Sequence, residues 1–172
     1  MNERVMLRPA SEDDLAVLLK LTQDPEGAGE FAWAGWFDPQ TWRRRWDEDG
    51  LIGREGGILM VVREDEPVGM VSWQRRGTGP VSYCWEMGIG LPPEARRRGY
   101  GTEAHRLLVR YLFSHTPVYR IEAVTEAGNI AEQKAPENAG FTRDGVMRGR
   151  SWRDGAWRDD VLYSVLRTDP RV

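Results

Sequence analysis

Pro92-Pro93-Glu94-Ala95-Arg96-Arg97-Arg98-Gly99-Tyr100-Gly101-Thr102-Glu103-Ala104 joins two strongly patterned segments. Upstream, Val81–Leu91 is a long strand candidate that Pro92-Pro93 terminates. Downstream, Ala104, Leu107, Leu108, Tyr111 and Leu112 share one helical face, which predicts a helix over about 102–114. Glycines at 99 and 101 let the backbone approach a ligand and turn its N–H groups inward, and the helix start adds its positive end. Three arginines add charge, so the segment is a candidate cradle for a pyrophosphate.

Outward from this loop the elements fall in a definite order. Val5–Pro9 reads as a first strand, and Ser11 with Asp14 resembles a capping box opening a helix over about 12–23. Asp24-Pro25-Glu26-Gly27 breaks that helix. Asp38-Pro39 reads as an N-cap and first-turn proline of a second helix ending near Asp49. Strands follow at 58–63 and 68–74, with a turn at 64–67. Beyond the central helix come a strand at 120–125, a short helix at 131–138, and strands at 141–148 and 161–166. Residues 149–158, with Trp152 and Trp157, read as a turn-rich loop. The order β-α-α-β-β-β-α-β-α-β-β contains consecutive strands and is not the alternation of a doubly wound sheet.

A length of 172 residues, 40% hydrophobic and 30% charged, suits one soluble globular domain over 1–172. No apolar run reaches the length of a membrane span and the polar start is not a secretory signal, so a cytoplasmic protein without a membrane partner is expected. The net charge of −3 argues against a nucleic-acid partner. Cys84 is the single cysteine, which excludes an internal disulfide and a cysteine zinc cluster, and no metal site is expected. Cys84 reads as a small buried strand residue, and His105 and His115 as polar groups on a helix surface.

Three readings of the loop compete. Its arginines can be solvated surface. Gly99-x-Gly101-x-x-Ala104 formally matches a dinucleotide fingerprint, but that fingerprint turns directly off its strand, whereas Pro92–Arg98 intervenes here. A Walker loop fails, since no Gly-Lys-Ser/Thr is present. The third reading is a resemblance: Arg96-x-x-Gly99-x-Gly101 is similar to the Arg/Gln-x-x-Gly-x-Gly/Ala signature of the GNAT acetyltransferase superfamily. Glu86-Met87-Gly88-Ile89 resembles the segment before that loop, and Asn129 with Ala139-Gly140-Phe141 resembles the block after its fifth strand. Asp154-Gly155-Ala156-Trp157-Arg158-Asp159 through Leu166 is similar to the close of the ribosomal-protein N-terminal acetyltransferase branch.

The resemblance implies an α/β (α+β) fold: a central mixed, mostly antiparallel sheet flanked by helices, splayed between its fourth and fifth strands. It implies an acetyl-CoA-dependent N-acetyltransferase, in which a primary amine of a protein N-terminus or small molecule attacks directly in a ternary complex. Pantetheine is then expected along Met87, Gly88, Ile89, Gly90 and Leu91, with an amide near Gly88 or Ile89 polarising the thioester carbonyl. The pyrophosphate is expected on Arg96, Arg97, Arg98, Gly99, Tyr100, Gly101 and Thr102, and Asn129 is expected to face the pantetheine end. Because a lysine-like amine is mostly protonated near neutrality, with a pKa of roughly 10, a base is needed. Glu86 is the candidate, through a water, the alternative being a structural glutamate at the strand junction. Where many relatives carry an acidic tyrosine, this chain has Pro136, and where the N-terminal branch often has serine, it has Glu132.

The acceptor side is expected to use the aromatic stretch 31–46 and the loop of the last strands, with Trp33, Trp36, Glu132 and Trp152 as candidate contacts. Core and lid packing is the competing use of those aromatics, and a solvated position that of Glu132. The resemblance leaves open a homodimer, a CoA-binding module without catalysis, and another donor such as succinyl-CoA, whose distal carboxylate the spare arginines could pair.

Overall fold

The run Ile58-Leu59-Met60-Val61-Val62 is apolar without alternation because its strand is buried on both faces. In the computed structural model, which describes residues 4–170, this strand is β3 (Gly56–Arg63). Leu59 and Val61 face a large core under helix α4 (Tyr100–His115), while Ile58, Met60 and Val62 face a smaller core under α1 (Leu15–Gln23) and α3 (Thr41–Asp49). The remaining strands are β1 (Met6–Pro9), β2 (Ile52–Gly53), β4 (Glu66–Gly77), β5 (Tyr83–Gly90), β6 (Arg120–Glu126), β7 (Thr142–Arg153) and β8 (Ala156–Leu166). They form one eight-stranded sheet in the order β1-β3-β4-β5-β6-β8-β7, with β2 beside β3.

Every pairing is antiparallel except β5 with β6, so the sheet is mixed and mostly antiparallel, with helices on both faces, as expected. The last helix, α5 (Ile130–Asn138), lies with α4 on the face of the large core. No helix among the described residues is long and apolar enough to cross a membrane.

The first capping signal holds: the Asp14 carboxylate accepts from both the Ser11 N–H (2.7 Å) and its hydroxyl (2.9 Å). It closes a 3-10 turn over Glu12–Asp14, which leads into α1. Other signals need correction. Asp24-Pro25 ends α1 but also starts a one-turn helix, α2 (Pro25–Ala28), whose Glu26 N–H is capped by the Asp24 carboxylate. Asp38 does not cap α3, which begins at Thr41 after Gln40; its carboxylate instead accepts from the Gln40 N–H and pairs with Arg44. β4 runs through Pro67, which sits at a bulge where register shifts between Val61 and Val62, a place that tolerates a missing N–H.

The largest correction concerns residues 149–158. They are not a loop but the end of a long hairpin, turned by Asp154 and Gly155 at φ 50° and 72°. Two positive φ values in a two-residue turn match the right-handed twist of the flanking strands, and Asp-Gly is the pair that adopts them.

Candidate functional site

The expected splay is present. β5 and β6 pair only through Trp85 with Ile121, Glu86 with Glu122, and Met87 with Ala123. Gly88, Ile89 and Gly90 still pair with β4 but have no strand partner on the β6 side among the described residues. A wedge-shaped gap therefore opens at the C-terminal end of β5, lined on one edge by unpaired backbone.

The loop at the mouth of this gap follows from local conformation. Arg97 (φ 60°) and Gly99 (φ 81°) are both left-handed, which curls the backbone ahead of α4. The first helical bond runs from Glu103 N–H to Gly99 C=O, so the helix start leaves donors over. The amides of Arg97, Arg98, Gly99, Gly101 and Thr102 have no acceptor among the described residues. A Cβ built on Gly99 meets nothing within 4 Å, so the space beside that residue is open. Five unpaired donors around an open curl are the chemistry of a diphosphate site, so these residues fit the pyrophosphate of coenzyme A.

The side chains divide differently from the expectation for this loop. Arg97 and Arg98 are exposed and have no ion-pair partner among the described residues. Arg96 is turned back: its Nε donates to Leu91 O (2.8 Å) and its Nη2 to Ala28 O (3.0 Å) and Gly27 O (3.5 Å). It thus holds the end of α2 against the end of β5. Gly29 has φ 83°, which favours glycine, and a Cβ there would stand 2.7 Å from the Arg96 guanidinium. The Tyr100 ring is core, so only its backbone belongs to the loop.

Across the gap, Asn129 caps α5, its Oδ1 accepting from the Glu132 N–H (3.2 Å), while its Nδ2 has no partner among the described residues. Glu132 follows in the first turn. Its carboxyl has no hydrogen-bond partner among the described residues, and burial pushes its pKa up to about 7 against the opposing pull of the Arg96 charge. It is partly buried, and so differs from a fully solvated helix glutamate. Pro136, one turn on, lacks the N–H that would bond the Glu132 carbonyl, and it is buried.

Glu86 opens onto the opposite face. Its carboxylate accepts from Gln74 Nε2 (3.0 Å), Arg76 (2.9 Å) and Arg150 (3.2 Å), and its side chain is 14% exposed. Arg150 also bonds Asp160, which accepts from the Ser151 hydroxyl, and Arg153 forks onto Glu126 at 2.6 and 2.9 Å. This half of the face is therefore polar where the β3–β4 half, under α1 and α3, is apolar. The segment after α2 folds over it, with Phe31 against the Arg153 guanidinium at 5.2 Å.

The expected acceptor contacts are only partly brought together. Trp33 and Trp36 pack edge to face at 5.4 Å, with Trp36 78% exposed. Trp42 and Trp46 go to the smaller core, the bland use of these aromatics. Trp152 packs on Trp157 at 5.4 Å. Alternation along β7 turns Trp152 to the face opposite Ser151 and Arg153, away from Glu86, which corrects its expected placement. Two further residues differ from or match their readings. His105 is not surface: it is 2% exposed, its Nδ1 bonds Gly101 O (2.8 Å), and burial lowers its pKa. Cys84 is buried as expected, and burial raises its thiol to about 11.

A loop of free amides at a helix start, set against parted parallel strands, is the architecture expected of an acyl-CoA-handling fold. A family profile described as an acetyltransferase (GNAT) domain matches residues 4–142, and the chain belongs to that family. A Bacillus subtilis relative named "Probable N-acetyltransferase YjcK" is 29% identical over 111 residues, 64% of this chain and 61% of the relative. The chain thus spans about three-fifths of that relative's length. The solved spermidine N-acetyltransferase from Vibrio cholerae, in complex with CoA and spermine, superimposes with a TM-score of 0.80 at 15% identity, covering 97% of this chain and 98% of that one. Ribosomal-protein-S5-alanine acetyltransferase from Vibrio fischeri gives 0.78 at 20% identity, covering 98% and 96%. At these identities the structures share the fold.

Proposed function

We propose that the protein transfers the acetyl group of acetyl-CoA to a primary amine. The observation that carries this reading is the loop of five unpaired amides beside the unpaired edge of β5. Bound acetyl-CoA supplies an activated acyl carbon: the amine nitrogen bonds to it, the carbon–sulfur bond breaks, and CoA leaves as thiolate. Amides of Arg97–Thr102, with the Arg97 and Arg98 side chains, hold the pyrophosphate. The free backbone of Gly88–Gly90 lies along pantetheine and donates to the carbonyl oxygen where charge develops. Asn129 Nδ2 donates to the same arm of the cofactor.

Two carboxyls on opposite sides of the sheet divide the proton transfers. Glu86, with three of its roughly four lone-pair sites occupied, keeps one for a water that removes the amine proton. Glu132, near the mouth of the gap, is partly protonated at neutrality and donates to the departing thiolate, in place of the tyrosine that Pro136 replaces.

Acetyl-CoA consumption over a panel of amines, with CoA binding measured by calorimetry, tests the reading. Turnover on at least one amine is expected. Glu86→Gln should lower kcat while leaving CoA affinity unchanged. Tight CoA binding with no turnover on any amine refutes catalysis and leaves a binding module.

A further inference from the structure

On the polar half of the face, the carboxylates are already matched. Glu86 pairs with Arg76 and Arg150, Glu122 with Arg120, Glu126 with Arg153, and Asp160 with Arg150. Arg158 breaks the pattern. The pairings of Ser151 with Arg158 and of Glu126 with Asp160 place it on this same face. Its Nε is buried without a hydrogen-bond partner, and it joins no ion pair among the described residues. It nevertheless stands close enough to Glu126 to help hold that carboxyl low, after the larger effect of the Arg153 hydrogen bond.

A buried donor left unmade is costly, and a half-buried guanidinium without an anion invites one. A second orphan lies on the covering segment: Trp33 Nε1 is also buried without a partner. Phe31 of that segment stacks on Arg153, next to Arg158 on the hairpin, so the segment forms a roof over the same part of the face. Exposed Glu30, in the same segment, acts on Arg153 electrostatically. A polycationic acceptor would have to displace guanidiniums from matched carboxylates. An amine that also carries an anion would find Arg158 waiting for the anion.

We propose that Arg158 is an anion subsite of the acceptor pocket, and that the acceptor is a primary amine bearing a carboxylate or phosphate close to its amino group. This rests on the transferase reading, in which the polar face receives the acceptor. The subsite selects by hydrogen bonds to an ionised group, each of which is worth about tenfold or more in affinity.

The test compares propylamine, β-alanine, phosphoethanolamine and 1,3-diaminopropane as acceptors at saturating acetyl-CoA, with the parent, Arg158→Gln and Arg158→Lys. β-Alanine or phosphoethanolamine should exceed propylamine in kcat/KM by about tenfold or more, and which of the two leads identifies carboxylate or phosphate. Arg158→Gln should abolish that advantage through KM, with CoA affinity and Tm unchanged, and Arg158→Lys should restore part of it. Parity of neutral and anionic acceptors, preference for the diamine, or an equal loss on all four overturns the subsite. So does a loss confined to succinyl-CoA as donor, which would assign Arg158 to the acyl group. If no amine is acetylated, the transferase reading falls separately. Thermal stabilisation of the CoA-loaded protein by β-alanine or inorganic phosphate, present in the parent and absent in Arg158→Gln, then still decides the subsite.

Discussion

Glu132→Gln should make the protein more stable in alkaline solution and a poorer enzyme. In the folded chain burial pushes the Glu132 carboxyl from 4.5 up to about 7, so the folded state keeps a proton that the unfolded chain has released. Its stabilising effect is therefore full below pH 4.5 and is lost as pH rises through about 7. Each pH unit across that window is worth about 1.36 kcal/mol, which sets an upper limit of about 3.4 kcal/mol. Partial access to solvent brings this to about 1–2 kcal/mol. Glutamine keeps the shape without the charge, so the variant should match the parent near pH 4.5 and exceed it at pH 8 by about 2–8 °C in Tm. Calorimetric scans of both proteins from pH 4.5 to 8.5 provide the assay, and pH profiles of kcat accompany them. The parent's kcat should fall as pH rises past about 7, because the proton donor is lost, and the variant should lack that limb. Parallel Tm curves would refute the burial argument, and an unchanged kcat profile would refute the acid role.

Three other substitutions test separate links. Gly99→Glu should weaken CoA binding by about a hundredfold or more in calorimetry, since the new carboxylate fills the open curl and repels phosphate, while Gly99→Ala should cost only about 1 kcal/mol of stability from its φ of 81°. His105 is held neutral by burial, so stability should decline by up to about 1.4 kcal/mol per pH unit below about 6.5, and His105→Phe should flatten that slope in denaturant titrations. Gly27→Ala puts a Cβ 2.3 Å from Lys20 O and should destabilise by about 1–3 kcal/mol, read as a lower urea midpoint.

The parts of the fold that were legible in the sequence are those where local pattern and tertiary role agree. The strand before Pro92, the loop and α4 form one such unit, since a buried stripe and a glycine curl both leave local marks. The flanking strands of the last hairpin are legible, but its end over 149–158 reads as a loop because it carries Trp152 and Trp157, 59% and 65% exposed, among charges. Its decisive mark, Asp154-Gly155, is present in the sequence, where the pair counts as turn content and as part of the family resemblance and not as a hairpin turn. His105 lies directly beside Ala104 on a stripe continued by Leu108, Val109 and Leu112, so counting the stripe two residues wide would have buried it. The inward turn of Arg96, the isolation of Glu132 and the solitary state of Arg158 leave no local mark. Each is set by residues far away in sequence, as with Arg96 and the carbonyls of Gly27 and Ala28.

The brevity of the β5–β6 pairing has a mechanical consequence. Two leaves of sheet, β1–β5 and β6–β8, are bound along a spine only three residue pairs long. Trp85, Met87, Ile121 and Ala123 pack at that spine within the large core, so the leaves are joined by side chains more than by ladder bonds. Such a joint transmits bending poorly along the backbone and well through the core. Substitutions that loosen these four residues should therefore change how far the leaves gape, even though none of the four lies in the loop of unpaired amides before α4.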